Sequence, residues 1–121
     1  MTEKEIEMEI LDWLNRNGIF AFKIDNGGVY DVERKAFRSK NRFSPKGVSD
    51  ILAILPGGRL LALEVKTETG RASVPQMAFI EKIKKSGGVA AIVRSLNDVK
   101  EVVNGYWDSV GQDRPSERRI K

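Results

Sequence analysis

The feature of this sequence that most constrains its fold is a pair of strongly apolar segments with a short connection between them. Residues 50–55 and 60–66 are almost continuously hydrophobic, and Pro56-Gly57-Gly58 separates them. Such segments are typical of strands covered on both faces of a sheet, and proline followed by glycines is typical of a tight turn. We therefore predict a β-hairpin at the centre of a sheet.

The rest of the sequence predicts helices and strands around this hairpin. Apolar residues recur at helical spacing in three segments, and short aromatic or β-branched runs read as strands. The predicted elements are a helix over residues 5–17, a strand over 19–24, the two hairpin strands, a helix from 74 to about 86, a strand over 89–93 and a helix from 96 or 97 to 104. This order predicts an α/β fold in which a mixed central sheet is flanked by helices.

The composition limits the chemistry that such a domain can perform. The chain has 121 residues, which suits a single domain, and it contains neither cysteine nor histidine. Disulfides, thiolate metal sites and catalysis by an imidazole base are therefore excluded. Carboxylates, lysine and an ion with oxygen ligands remain, and such ligands suit Mg²⁺ or Mn²⁺ better than Zn²⁺. A net charge of +4 favours a polyanion such as nucleic acid as the partner.

Charged residues stand at the ends of the hairpin strands, where burial is costly unless they pair, bind a metal or take part in a reaction. Glu64 and Lys66 are two residues apart on one strand, so their side chains leave the same face. If the connection is a three-residue loop, Leu55 faces Arg59 across the hairpin. Counting back from that pair puts Asp50 directly opposite Glu64 on the same face. A two-residue loop would send Asp50 to the other face, so the predicted site depends on the loop length.

The predicted pair of carboxylates requires a cation. Two such groups whose Cβ atoms are about 5 Å apart repel one another unless positive charge lies between them. A divalent ion on Asp50 and Glu64 would keep positions open for water and a phosphate oxygen. Lys66 could position the attacking water, help to deprotonate it and offset charge in the transition state. The alternative is a salt-bridge system without chemistry, in which two acids and one base leave one charge unmatched.

Several short motifs occur in the order that is typical of one nuclease superfamily. They are Gly47-Val48-Ser49-Asp50, Glu64-Val65-Lys66, Pro75-Gln76 and an acidic helix before the first strand. Together they resemble the PD-(D/E)XK nuclease pattern, and they are most similar to the VRR-NUC (virus-type replication-repair nuclease) domain. The resemblance runs from about residue 6 to about residue 103 and includes the Pro-Gly-Gly-Arg hairpin. A departure is Ser49, where the family often has proline.

The resemblance implies a fold and an activity. The fold is the restriction-endonuclease-like arrangement with an αβββαβ core, which we expect in residues 1–107, followed by a flexible tail in residues 108–121. The activity is divalent-metal-dependent hydrolysis of DNA phosphodiester bonds by an endonuclease. Stand-alone members of this size resemble structure-selective enzymes, so we expect branched or junction DNA in replication, recombination or repair as the substrate, and a homodimer as the active form. The charged N-terminus and the lack of a long apolar run predict a cytoplasmic location, in a bacterial or phage-infected cell, without membrane association.

The resemblance also implies roles for individual residues. Asp50, Glu64 and the Val65 carbonyl would be metal ligands, and Lys66 would be the catalytic lysine. Glu7 corresponds best to the family's helix-one glutamate and would act on the metal directly or through water. The alternative for Glu7 is a solvated acid in a first helical turn, which the helix dipole favours. The neighbouring candidates for the helix-one position are Glu3, Glu5 and Glu9.

Gln76 has two competing interpretations. The resemblance implies that its amide orients water or substrate at the start of the second long helix. Ser73 and Gln76 also have the spacing of a capping box, in which the glutamine reaches back to the serine backbone. We expect one static amide orientation to satisfy only one of these roles.

The segment 26–47 contains the excess positive charge of the chain. Six basic residues oppose two acids there, so this segment alone has the +4 net charge of the whole sequence. Tyr30, Phe37 and Phe43 lie among the basic residues, and they could stack on exposed bases while the cations bind phosphates. A solvated surface loop is the alternative. With Lys23, which lies close to the expected site, the predicted nucleic-acid-binding residues are Lys23, Arg34, Lys35, Arg38, Lys40, Arg42 and Lys46.

Two rival functions remain open from the sequence. One is a nucleic-acid-binding module without catalysis, in which the carboxylates only pair with Lys66 and the basic segment makes the contacts. The other is a restriction-type enzyme with base-specific readout, which is disfavoured because the chain has no room for a separate recognition domain.

Overall fold

A computed structural model describes residues 1–25, 30–31, 36–37 and 42–111 of the protein. These residues form the three predicted helices and six strands, two more than the sequence predicts, and the α/β fold class is confirmed. In chain order the elements are α1 Glu3–Arg16, β1 Phe20–Lys23, β2 Tyr30–Asp31, β3 Ala36–Phe37, β4 Ile51–Leu55, β5 Arg59–Val65, α2 Val74–Lys85, β6 Val89–Val93 and α3 Leu96–Ser109. No helix in the described ranges has the length and apolar character needed to cross a membrane.

The main sheet has the strand order β1-β4-β5-β6. Within this sheet β1 and β5 both run antiparallel to β4, and β6 runs parallel to β5. A parallel neighbour needs a crossover connection, and α2 provides it. The predicted mixed sheet is thus confirmed, and the two apolar hairpin strands lie at its centre.

Two hydrophobic clusters cover the two faces of this sheet. The larger cluster joins the sheet to α1 and α3, and its fully buried members include Leu14, Leu61 and Trp107. The smaller cluster lies under α2 and is built on Ala62, Ile80 and Ala90. Neighbouring residues of β5 point to opposite faces, so Leu61 belongs to one cluster and Ala62 to the other. This two-sided burial explains why β5 is continuously apolar from Leu60 to Leu63.

The hairpin between β4 and β5 has the odd loop length on which the predicted site depends. Leu55 lies opposite Arg59, which confirms the three-residue loop, and the pairing continues to Ile51 opposite Leu63. Gly57 and Gly58 have φ angles of 93° and 83°, a region that side chains strongly disfavour. The Gly58 N–H donates to the Leu55 carbonyl at 2.9 Å and closes the turn. Asp50 and Glu64 are therefore the next residues to face one another.

Two details of the predicted arrangement are wrong. The last helix does not end at Asn104 but continues to Ser109, because Tyr106 and Trp107 extend its buried face into the core. The basic segment is not loop throughout, since β2 and β3 pair within it in antiparallel fashion. Most of the predicted tail, residues 112–121, lies outside the described residues.

Candidate active site

The ends of β4 and β5 bring together the two acids that the sequence predicts as metal ligands. Asp50 directly precedes β4, and its Oδ2 accepts a hydrogen bond of 2.9 Å from the Val65 N–H. This bond fixes the Asp50 carboxylate against the backbone of β5, beside Glu64. Val65 is fully buried, so the peptide unit that the sequence predicts as a ligand is part of a rigid central strand.

Glu64 is the most deeply buried acid among the described residues, with 1% of its surface exposed. Its Oε2 atom accepts a hydrogen bond of 3.1 Å from Gln76 Nε2 and lies 3.7 Å from Lys66 Nζ. Its Oε1 atom is buried and has no hydrogen-bond partner among the described residues. Buried carboxylate oxygens are rarely left in this state, because a lost partner costs about 1 to 3 kcal/mol or more.

The surroundings of Glu64 favour its neutral form. The pKa of Glu64 is raised to about 8, first by burial and then by the adjacent Asp50 carboxyl, while Lys66 acts against both. A bound cation would lower the pKa of Glu64, because positive charge between two carboxyl groups favours their ionised forms. Glu64 would therefore lose its proton when the cation binds.

The two carboxyl groups and the orphaned Oε1 atom fit a divalent cation. Hard cations prefer oxygen ligands, and a single ion would satisfy Oε1 and relieve the repulsion between Asp50 and Glu64. The described residues contain no group of three or more acidic side chains arranged for a metal. The side chains of Asp50 and Glu64 would therefore supply two ligands, and backbone oxygen, water and a substrate phosphate would complete the shell.

A pocket of about 500 Å³ opens beside this pair, lined by Glu7, Lys23, Ile24, Asp25 and Asp50. Glu7 is 7% exposed, and its Oε2 lies 3.0 Å from Lys23 Nζ. The hydrogen bond and charge of Glu7 raise the pKa of Lys23, with smaller effects from Asp50 and Asp25. Lys23, which the sequence suggests only as a phosphate contact, thus also forms an ion pair with Glu7 at the pocket wall.

The other acids of α1 are directed elsewhere. Glu5 closes the capping box with Thr2, since its Oε1 accepts from the Thr2 N–H at 2.9 Å. Glu9 is exposed and Glu3 is half-buried, and neither lines the pocket. Of the four glutamates that the sequence leaves as candidates, Glu7 is the one that faces the carboxylate pair.

Gln76 makes the helix cap and also contacts the candidate site. Its Oε1 atom accepts from the Ser73 N–H at 2.8 Å, and Ser73 Oγ accepts from the Gln76 N–H at 3.2 Å, which completes the capping box. The same side chain donates through Nε2 to Glu64. A single amide orientation therefore completes the cap through its oxygen and contacts Glu64 through its nitrogen, whereas the orientation of water or substrate by this amide stays a prediction.

Gly47 holds α2 against the segment that leads to Asp50. Its φ angle is +71°, and a Cβ atom there would lie 2.4 Å from the Pro75 carbonyl carbon and 2.5 Å from the Gln76 nitrogen. Real Cβ atoms do not approach backbone so closely. The absence of a side chain at Gly47 therefore lets Gln76 reach Glu64. Sequence reasoning gave Gly47 only as part of a motif.

A second supporting contact has no signal in the sequence. Arg94 follows β6, and its Nη1 donates to the carbonyls of Thr67 at 2.6 Å and Gly70 at 2.7 Å. The guanidinium thereby fastens the loop that follows Lys66 to the end of the neighbouring strand. Only the three-dimensional register of β5 with β6 reveals this pairing.

The basic residues are described in part. Arg34, Lys35, Arg38 and Lys40 lie outside the described residues. Arg42 and Lys46 are exposed, and the Arg42 guanidinium lies 4.7 Å from the centre of the Phe43 ring. Phe43 is itself 80% exposed.

Comparison with known proteins decides the family. The model of the VRR-NUC domain matches residues 2–97 of the chain. The chain belongs to the VRR-NUC family. This confirms the resemblance carried by the ordered motifs, and a VRR-NUC domain is in general a nuclease domain that acts on DNA and uses divalent metal ions.

Solved structures of VRR-NUC domains share the fold. One titled "VRR_NUC domain" has a TM-score of 0.61 at 21% identity and covers 88% of this chain and 99% of its own. Another, titled "VRR_NUC domain protein", has a TM-score of 0.62 at 19% identity and covers 88% of each chain. A search of curated proteins gives no match. The restriction-endonuclease-like arrangement expected from the sequence is thus the fold of the VRR-NUC relatives.

Proposed function

We propose that this VRR-NUC domain is a Mg²⁺- or Mn²⁺-dependent DNA endonuclease whose catalytic centre contains Asp50, Glu64 and Lys66. The observation that carries the proposal is the buried Glu64 carboxyl group, with an oxygen that has no partner among the described residues and a second carboxyl beside it. The buried Glu64 and the half-buried Asp50 hinder a protein that only binds a polyanion, because carboxylates repel phosphate. A bound cation turns the same pair into a phosphate-binding centre.

In the proposed mechanism the described residues hold and orient the reactants. Asp50, Glu64 and the Val65 carbonyl would hold the ion, which would supply Lewis-acid chemistry and a water of lowered pKa. Lys66 is 15% exposed and is held by Glu64, so its ammonium can assist proton removal from the attacking water and offset charge on the phosphorus centre. Gln76 keeps Glu64 in one orientation, because the helix cap fixes its own amide. Glu7 orients water at the pocket wall.

We further infer that the substrate is branched DNA and that the active form is a homodimer. The support is the family membership together with the basic residues outside the site, of which Arg42 and Lys46 are exposed. Two equivalent centres suit a junction in which two strands are cut. Sedimentation velocity with and without a four-way junction tests the dimer, and a monomer in both conditions contradicts it.

The proposed activity is tested with flap, splayed-arm and four-way junction DNA in Mg²⁺ or Mn²⁺. Wild type should cleave at least one of these only when metal is present, and both Asp50→Asn and Lys66→Ala should lose cleavage. Glu68→Gln is the matched control, since this acid is exposed and lies close to Lys66 in the sequence without touching the carboxylate pair. The control should cleave like wild type.

The rival proposal is a binding module in which the acids only pair with Lys66, and the 3.7 Å contact between Lys66 Nζ and Glu64 Oε2 favours it. The same assay separates the two. Tight DNA binding without cleavage on any substrate or metal would support the rival and refute the nuclease.

A further inference from the structure

A groove of about 280 Å³ lies next to the candidate active site and has no role in the chemistry described so far. Its lining, which we call the α2 groove, consists of Pro45, Lys46, Pro75, Ala78, Phe79 and Lys82. All of these residues except Phe79 are exposed, and Phe79 is half-buried. The groove therefore lies open at the surface, between the segment before Gly47 and the first turns of α2.

The chemistry of the α2 groove is that of an apolar floor with two cations. Two prolines, an alanine and a phenylalanine ring form the floor, and Lys46 and Lys82 provide the charge. Neither lysine forms an ion pair with an acid of the described residues, whereas Lys84 pairs with Glu81 on the same helix. Two ammonium groups without an acidic partner in the described part of the chain, beside apolar surface, suit a ligand that has both phosphate and a flat apolar face.

The position of the α2 groove connects it with the carboxylate pair. Pro75 lines the groove, and the next residue, Gln76, donates to Glu64. The close approach of Gly47 to Pro75 fixes Lys46 beside α2. From Gln76 to Lys82 the helix advances about 9 Å, which corresponds to two or three nucleotides at the spacing of about 3.4 Å in a stacked strand and to fewer in an extended unpaired strand. A strand whose reacting phosphate lies at Asp50 and Glu64 thus has its neighbouring nucleotides within reach of the groove.

An unpaired strand fits this surface better than a duplex does. In a duplex the faces of the bases are stacked on one another and cannot contact an apolar floor, whereas an unpaired base can stack on it. Phe43, two residues before Pro45, offers a further exposed ring with Arg42 over it. We propose that the α2 groove binds unpaired nucleotides of the DNA strand adjacent to the phosphate that is cut. This inference rests on the proposed function and narrows its substrate to DNA with a single-stranded segment at the cleavage site.

The test measures binding without cleavage, so that it does not depend on the catalytic centre. Fluorescence anisotropy with labelled single-stranded dT8 in EDTA compares wild type with Lys82→Glu and Lys85→Glu. Both variants change the charge of α2 equally, but Lys85 lies outside the groove lining. Lys82→Glu should weaken dT8 binding about tenfold relative to Lys85→Glu and reduce the slope of log K against log salt by about 0.7, as expected for one lost phosphate contact. Ala78→Glu, which puts a carboxylate on the floor, should weaken binding as well.

The outcomes separate this inference from the proposed function. If Lys82→Glu and Lys85→Glu bind dT8 equally, or if wild type does not bind it, the α2 groove is not a strand-binding site. Metal-dependent cleavage by the same protein would then support the nuclease without the groove. Loss of binding in Lys82→Glu and Ala78→Glu, with melting temperatures like that of wild type, supports the groove. A wild type that binds dT8 through the groove but cleaves no DNA refutes the nuclease and leaves the binding surface.

Discussion

Replacing Glu64 by glutamine should stabilise the metal-free protein at high pH. The pKa of Glu64 rises from 4.5 to about 8 on folding, chiefly because the carboxyl group is buried. A raised pKa means that the folded state holds this proton more tightly than the unfolded chain does. The contribution is therefore complete below pH 4.5 and disappears as pH rises through about 8.

The size of the effect follows from the shift. Each pKa unit corresponds to about 1.4 kcal/mol, so ionising Glu64 in the folded state costs up to about 5 kcal/mol. The Glu64→Gln side chain has nearly the same shape, keeps an acceptor for Gln76 and never ionises. Its free energy of unfolding should match that of wild type within about 1 kcal/mol at pH 4.5 and exceed it by several kcal/mol at pH 9.

Urea denaturation in EDTA at pH 4.5, 7 and 9 measures this difference. Glu68→Gln is again the control, because it makes the same change of side chain at an exposed position. If Glu64→Gln is less stable than wild type at pH 9, or if the gap does not grow between pH 4.5 and 9, the Glu64 carboxyl is not held in the unfavourable environment that we describe. Addition of Mn²⁺ should stabilise wild type at pH 9 and narrow the gap.

Three further predictions concern the residues around this carboxyl group. Gly47→Ala should lower the free energy of unfolding by about 1 to 3 kcal/mol more than Gly18→Ala in urea titrations, since both glycines have similar positive φ angles but only Gly47 is crowded by backbone; equal losses would mean that the contact with α2 is not tight. Ser49→Ala should leave the melting temperature unchanged or raise it, because the fully buried Ser49 hydroxyl has no partner among the described residues; a marked fall would reveal a hidden partner. Asp50→Asn should abolish the rise in melting temperature that Mn²⁺ gives wild type. At a free Mn²⁺ concentration one hundred times the dissociation constant, this rise reflects about 2.7 kcal/mol of added stability. A variant that is still stabilised by Mn²⁺ would place the ion elsewhere.

The architecture and the meeting of the acids follow from local sequence rules. A proline and two glycines between apolar strands set the loop length, and strand parity then determines that Asp50 and Glu64 face one another. The helix cap at Ser73 is equally readable, because capping depends on residues three positions apart, whereas the Thr2 cap has the same spacing and was not predicted.

The contacts that refine the site depend on distances between elements that are remote in sequence. The Arg94 guanidinium meets the loop after Lys66 only because β6 pairs with β5 in one register. The sequence misplaces the end of α3, because Gly105 after Asn104 is typical of a helix end, whereas burial of Tyr106 and Trp107 carries the helix on to Ser109. Sequence also gives the type of Gln76 but not the directions of the two ends of its amide.

The shared amide of Gln76 restricts which side chains this position can accept. A glutamate would complete the helix cap equally well, but it would set a third negative charge against Glu64. A lysine would attract Glu64 and leave the Ser73 N–H without an acceptor, and an asparagine is one methylene too short for the reach. The oxygen of the Gln76 amide is needed for the helix cap, and its nitrogen is needed for the hydrogen bond to Glu64. Only a glutamine side chain meets both structural requirements at this position.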